Sequence, residues 1–220
     1  MRIHHRTSMA LALGVLTLTV SVGAESPAPA SATRPSAYFP AGDPQRGQRL
    51  ATACVSCHAA EAPPLGDPPV HAPLLRHQRV SAIFYGLQDY KSGQRADPVM
   101  RAIAATLDEQ EMRDLAVYLA GNPAPIPKPS LGGMHDQVAL ICAFCHGETG
   151  LGEMDGYPVL TGQYLDYLDK ALAAYRNGSR LNPTMSVIAR KFTAQQAHEL
   201  AAYYASYPGL ESTLPESISP

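Results

Sequence analysis

An all-α protein of two tandem domains is what this sequence predicts, on three observations. The chain contains Cys-x-x-Cys-His twice, at Cys54-Val55-Ser56-Cys57-His58 and at Cys142-Ala143-Phe144-Cys145-His146. The stretches that follow the two motifs repeat each other at a constant offset of 85 residues. Apolar residues recur with helical spacing in both copies, and no stretch shows the alternation of a half-buried strand.

Composition frames that expectation. At 220 residues and 45% hydrophobic content, the chain is long enough for one large core or two small ones. Its 20 prolines and 17 glycines point to short helices joined by many turns. The formal net charge is −2 and no basic cluster occurs, which argues against a nucleic-acid partner.

Residues 1–24 read as a secretory signal peptide. Arg2 and Arg6 form a positive start, Met9 to Val22 is apolar, and Val22-Gly23-Ala24 fits a small-x-small cleavage site. An uncleaved anchor is the alternative, but the apolar run falls short of the ~20 residues a spanning helix needs. Cleavage after Ala24 leaves 15 basic and 19 acidic residues, a net charge of −4.

Residues 25–37 are rich in Pro, Ala and Ser and read as a flexible leader. The first domain is expected over residues 38–120. Asp43 is placed to cap a helix with Pro44 at its first position, and this helix should deliver Cys54. Residues 121–130 hold four prolines in ten and read as a semi-rigid linker. The second domain is expected over 131–209, followed by a polar tail at 210–220.

The repeat fixes which positions correspond. Pro73 to Gln78 aligns with Pro158 to Gln163, and Tyr90 to Arg95 with Tyr175 to Arg180. Pro98-Val99-Met100 aligns with Pro183-Thr184-Met185, and Leu115 to Tyr118 with Leu200 to Tyr203. The motifs themselves are offset by 88, so the first copy carries three extra residues in the loop between Ala59 and Ala72. Each copy closes with an amphipathic helix that opens on a capping-box pair, Asp108 with Glu111 and Thr193 with Gln196. Met112, Leu115, Ala116 and Leu119 form one inward stripe; Ala197, Leu200, Ala201 and Tyr204 form the other. Gly121 and Pro208-Gly209 are the expected ends.

Cys-x-x-Cys-His is the attachment signature of a c-type haem. On a helix, positions i, i+3 and i+4 share a face. Both thiols can then reach the vinyl groups on one porphyrin edge while the imidazole turns to the iron. Cys54, Cys57, Cys142 and Cys145 are all the cysteines in the chain, so each motif is complete and none is spare. His58 and His146 are the expected proximal ligands. Met100 and Met185 are the candidates for the second axial position, because each stands two residues after a proline at the same place in its repeat. A thioether is a soft ligand and raises the reduction potential. Met112 lies on a helical stripe and reads as core. Met134 and Met154 have no counterpart and read as structural or surface residues.

Over about residues 38–208 the chain resembles the two-domain, dihaem class I cytochromes c, most closely the cytochrome c4 type. The resemblance rests on the two haem motifs, the Pro-x-Leu-x-Gly-Gln segment from Pro158 to Gln163, the Gly-x-Arg and Pro-x-Met segments of both halves, and the closing Leu-Ala-x-Tyr helices. It implies two class I cytochrome c domains, each wrapped around one covalently bound, low-spin His/Met haem, with the two haems close across the domain interface. It implies a periplasmic carrier that performs outer-sphere electron transfer. The implied partners are a cytochrome bc complex upstream and a terminal oxidase or reductase downstream, with peripheral contact to such membrane complexes. Pro73 and Pro158 match the proline whose carbonyl accepts a hydrogen bond from the proximal histidine. Arg95 and Arg180 match a position on the propionate side of the haem. Tyr90 and Tyr175 are read as pocket or core residues.

The first half departs from the family pattern. His77-Gln78 replaces Gly-Gln, Ala59 stands where Gly147 follows the second motif, and Glu61 to Pro69 is rich in proline. His71 and His77 are therefore alternative iron ligands to be checked. His135 and His198 lack repeat partners and read as surface residues.

Four other readings compete with this one. A four-thiolate zinc site could use both cysteine pairs, although each is followed by its own histidine. A thioredoxin-like pair lacks the surrounding βαβ pattern. A dihaem peroxidase needs an accessible coordination position, and each half offers a methionine. A cytochrome subunit of a dedicated dehydrogenase would keep the same cofactors and change only the partner.

Overall fold

The computed structural model describes residues 41–59, 61–121, 137–152 and 156–210, which belong to one compact unit. The expected signal peptide and leader, nearly all of the linker, the tail beyond Leu210, and Met134, His135 and Met154 lie outside these residues. Among the described residues there are nine helices and no strand, in agreement with the all-α expectation. None of these helices is long and apolar enough to cross a membrane.

The first repeat starts with α1 (Pro44–Leu50). Asp43 caps it by accepting the amides of Gln45 and Arg46, with Pro44 in the first turn. The single helix expected to run through to Cys54 is corrected to two. Ala51 closes α1 with bonds back to both Gly47 and Gln48, and α2 (Thr52–His58) restarts there with the haem motif. Next come α3 (Val80–Ser92), α4 (Pro98–Thr106) and α5 (Glu109–Ala120). The second repeat supplies α6 (Gln137–His146), α7 (Leu165–Asn177), α8 (Pro183–Ala189) and α9 (Ala194–Ala205).

Equivalent helices start and stop for equivalent reasons. Gly93 at φ 81° and Gly178 at φ 84° end α3 and α7 in the left-handed conformation. Asp97 and Asn182 cap α4 and α8, each with proline in the first turn. Both capping boxes form on α5 and α9. Gly121 closes α5 as expected, whereas α9 stops earlier than Pro208-Gly209. Its cap is Ser206, whose amide turns back to the carbonyls of Ala202 and Tyr203.

The inward stripe of α5 is nearly sealed from water, with Met112, Leu115 and Leu119 at 2% exposure, and it anchors the first core with Ile83, Phe84 and Leu87 of α3. The second core gathers Leu168 of α7 with Ala201 and Tyr204 of α9, beside Phe192 and Leu200. A small third cluster joins the repeats, with Leu74 of the first packed beside Val159 and Leu210 of the second.

The repeats also pair through their backbones. Arg95 and Arg180 form an antiparallel bridge. The Ala96 amide donates to the Ser179 carbonyl at 2.7 Å, and the Leu181 amide to the Gln94 carbonyl at 2.7 Å. The two donors, Ala96 and Leu181, are 85-residue counterparts of each other, and so are the two acceptors, Gln94 and Ser179. That reciprocity is the pattern of a two-fold contact, here made inside one chain.

Candidate functional site

Each Cys-x-x-Cys-His motif ends a helix, and its histidine is the last helical residue. His58 is 8% exposed and His146 is 6% exposed. The His58 Nδ1 lies 2.7 Å from the Pro73 carbonyl oxygen, and the His146 Nδ1 lies 2.9 Å from that of Pro158. A carbonyl can only accept, so Nδ1 carries the proton and Nε2 keeps its lone pair. Burial holds both imidazoles below their usual pKa, partly offset by the proline carbonyl. At neutral pH both rings are therefore neutral, the form that ligates a metal.

All four cysteines are partly buried, and none is joined in a disulfide. Burial, aided by its neighbour Cys57, pushes the Cys54 thiol up; burial and Cys145 push Cys142 up to about 11. Cys54 packs on the first core and Cys142 on the second. Among the described residues no group of three His, Cys, Asp or Glu side chains is placed to hold a metal ion. The four thiols are thus not gathered as a zinc site requires; each pair stays with its own histidine. Two thiols and a neutral, buried imidazole on one helix end form a donor set that fits a haem c at each motif.

Met100 and Met185 occupy the third position of α4 and α8 and are partly buried. The Met100 amide donates to Asp97 Oδ1 at 3.0 Å, and the Met185 amide to Asn182 Oδ1 at 2.9 Å. Met100 packs on the same core as Cys54. The sequence reading missed Asp97 and Asn182, although Asp-Pro and Asn-Pro ahead of a helix were a readable signal. Met112 is core, as expected, at 2% exposure.

Arg95 and Arg180 come together at the bridge between the repeats. Each guanidinium lies 4.5 Å from a ring centroid, Arg95 over Tyr90 and Arg180 over Tyr175. Arg95 Nη2 also donates to the Tyr167 hydroxyl at 2.9 Å. Burial opposes ionisation of Tyr167, but the two guanidiniums outweigh it and bring the phenol down to about 8. Nothing in the sequence marked Tyr167, because Ala82 holds the equivalent place in the first repeat.

His71 is engaged with the second repeat. Its amide and its ring Nδ1 meet Asp166 Oδ2 at 3.0 and 2.8 Å, and its ring stacks on Tyr164 with centroids 4.4 Å apart. It thereby ties the rebuilt loop of the first repeat to the start of α7. His77 is buried at 7% exposure and adopts φ 61°, the left-handed backbone of its counterpart Gly162 at φ 73°. Its amide bonds to the Ala120 carbonyl at 2.8 Å. His198 stands on the surface beside Asp169, with Nδ1 2.8 Å from Oδ2.

No protein-family model matches the chain. It is 32% identical over 173 residues to a thiosulfate dehydrogenase electron acceptor of Stutzerimonas stutzeri, covering 71% of this chain and 79% of that relative. It is 28% identical over 179 residues to cytochrome c4 of Pseudomonas aeruginosa, covering 76% of this chain and 88% of that relative. The solved cytochrome c4 of Acidithiobacillus ferrooxidans superposes with a TM-score of 0.56 at 26% identity, over 71% of this chain and 99% of that one. Matches of that extent, on an all-α scaffold of the class I cytochrome c kind, place the chain in the cytochrome c4-like family of dihaem, electron-transferring cytochromes c.

Proposed function

We propose that this chain is a periplasmic electron carrier with two covalently attached haems c, one in each of two cytochrome domains at about residues 38–120 and 131–209. Cys54 and Cys57 attach the first haem, Cys142 and Cys145 the second. His58 with Met100, and His146 with Met185, would hold the two irons. The observation that carries this reading is the twin contact of a buried Cys-x-x-Cys-His histidine with a proline carbonyl, at 2.7 and 2.9 Å. Residues 1–24 serve as the export signal, which agrees with a c-type cytochrome of an oxidising compartment.

When bound, each haem iron supplies one reversibly exchanged electron. The chain's own residues hold the pocket still while that happens. Pro73 and Pro158 fix the ring orientation and tautomer of the two histidines. Asp97 and Asn182 fix the backbone from which each methionine projects. Arg95 and Arg180 would supply positive charge to the bound haems. Side chains held in this way would keep the same ligands in both oxidation states, so that electron transfer would need little rearrangement. A methionine for each histidine also disfavours the peroxidase reading. Haem content of the purified protein tests the proposal: two per chain are expected, and one in the double variant Cys142→Ala/Cys145→Ala. Two haems retained in that variant would contradict it.

The likeness to a thiosulfate dehydrogenase electron acceptor favours a second reading of the partner, a dedicated periplasmic dehydrogenase rather than a respiratory bc complex and terminal oxidase. Fast reduction of the holoprotein by a thiosulfate dehydrogenase, with slow reduction by a bc complex, would select the dehydrogenase.

A further inference from the structure

The two repeats hold each other's histidine loops. Pro73, whose carbonyl accepts from His58, is followed by Leu74. The Leu74 amide donates to Gln163 Oε1 at 3.0 Å, and Gln163 Nε2 donates back to the Leu74 carbonyl at 3.1 Å. The other repeat mirrors this. The Val159 amide donates to Gln78 Oε1 at 2.7 Å, and Gln78 Nε2 donates to the Val159 carbonyl at 2.9 Å. Val159 follows Pro158, whose carbonyl accepts from His146. In each case one side-chain amide engages both backbone groups of one residue, as a strand neighbour would.

The connection to the histidine is direct. The Pro73 carbonyl and the Leu74 amide are the two ends of one planar peptide group. That group accepts from His58 at its oxygen and donates to Gln163 at its nitrogen. Hydrogen bonds in series through one peptide polarise and strengthen each other. The Gln163 clamp is dry, with Gln163 at 3% exposure and Leu74 at 4%, so water does not replace a lost bond there; in the other clamp Val159 is at 3% and Gln78 is partly buried. Each glutamine is also fixed at the start of a helix. Gln163 Oε1 accepts the Tyr164 amide ahead of α7, and Gln78 Oε1 accepts the Arg79 amide ahead of α3.

We infer that Gln163 is the positioning residue for His58 and Gln78 the positioning residue for His146, so that each repeat sets the proximal histidine of the other. This rests on the proposed role of the two histidines as iron ligands. The hydrogen bond from Nδ1–H to a carbonyl makes an imidazole a stronger electron donor to its metal. Releasing the clamp weakens that bond, lowers the donation, and raises the reduction potential of the haem on the other side.

The test is the pair of single variants Gln163→Leu and Gln78→Leu in the holoprotein, with the potential and the Nδ1–H resonance of each haem site followed separately. Gln163→Leu should raise the potential at the His58 site and shift the His58 resonance, with little change at His146. Gln78→Leu should do the reverse. Gln163→Asn keeps an amide but withdraws it by one methylene; it gives the same crossed pattern, weakened, should the leucine variant not load haem. A shift confined to the variant's own repeat, equal shifts at both sites, or no shift overturns the inference. A parent protein without two histidine-ligated haems would instead overturn the functional proposal.

Discussion

At His58 and His146 the deciding atom is Nδ1. Its bond to a proline carbonyl leaves Nε2 as the free donor and fixes where it faces. The proposed second ligand is the methionine at the third position of α4 and of α8, the one methionine that the two repeats share at an equivalent place. Met185→Ala should therefore turn the second site high-spin and lower its potential, and Met100→Ala should do the same at the first. The absorption spectrum of the oxidised protein checks this; an unchanged low-spin spectrum after either substitution contradicts the ligand assignment. The motif residues were legible because spacings of three and four residues fix a helix face without reference to the rest of the chain. Tyr167 was not legible, since it matters only through guanidiniums delivered by two different repeats. His71 was legible as polar, but its partner Asp166 lies 95 positions away.

At the scale of elements, the crossing of α1 on α5 holds the first repeat closed. It depends on Gly47, where an added Cβ would stand 2.1 Å from the Asp114 carbonyl oxygen and 2.7 Å from the Tyr118 Cβ. Gly47→Ala should destabilise the protein by about 1–3 kcal/mol, read as a lower thermal midpoint with the second haem site unaltered. Beside it, the fully buried Asp114 accepts from the Asp43 amide, from Gln110 and from Arg46. Burial alone would raise this carboxyl, but the three donors outweigh it and hold it below the usual range. A depressed carboxyl stabilises the fold above its unfolded value of 3.8, and that stabilisation is lost as pH falls through the lower folded value. Stability should thus drop on the acid side of about pH 4, and Asp114→Asn should flatten that part of the profile while weakening the protein at neutral pH. Denaturant midpoints across the acid range measure both effects. The helix starts at Asp43, Asp108 and Thr193 were readable because caps act over three residues. The break at Ala51 and the early end of α9 were not, because neither position carries a glycine or a proline.

For the whole molecule, the contact between the repeats is made by equivalent residues. Arg95 pairs with Arg180, Leu74 packs near Val159, and Gln78 and Gln163 reach across in opposite directions. The 85-residue register made the repeats visible in the sequence, and the resemblance implied a close approach of the two haems across the domain interface. Which side chains cross was hidden, because the hydrogen-bonding partners stand 81 and 89 positions apart and share no local pattern. The edges of the contact break the symmetry. His71 bonds to Asp166 and stacks on Tyr164, and Arg79 donates to the carbonyls of Leu151 and Gly152. This asymmetry gives the two sites different surroundings on one scaffold, so two unequal potentials are expected from two equally ligated haems. A potentiometric titration of the purified holoprotein, followed by absorption, puts the central claim to the most direct test. Two one-electron steps of equal amplitude, both between low-spin states, are the predicted result; a single step, or a high-spin component at either site, would contradict it.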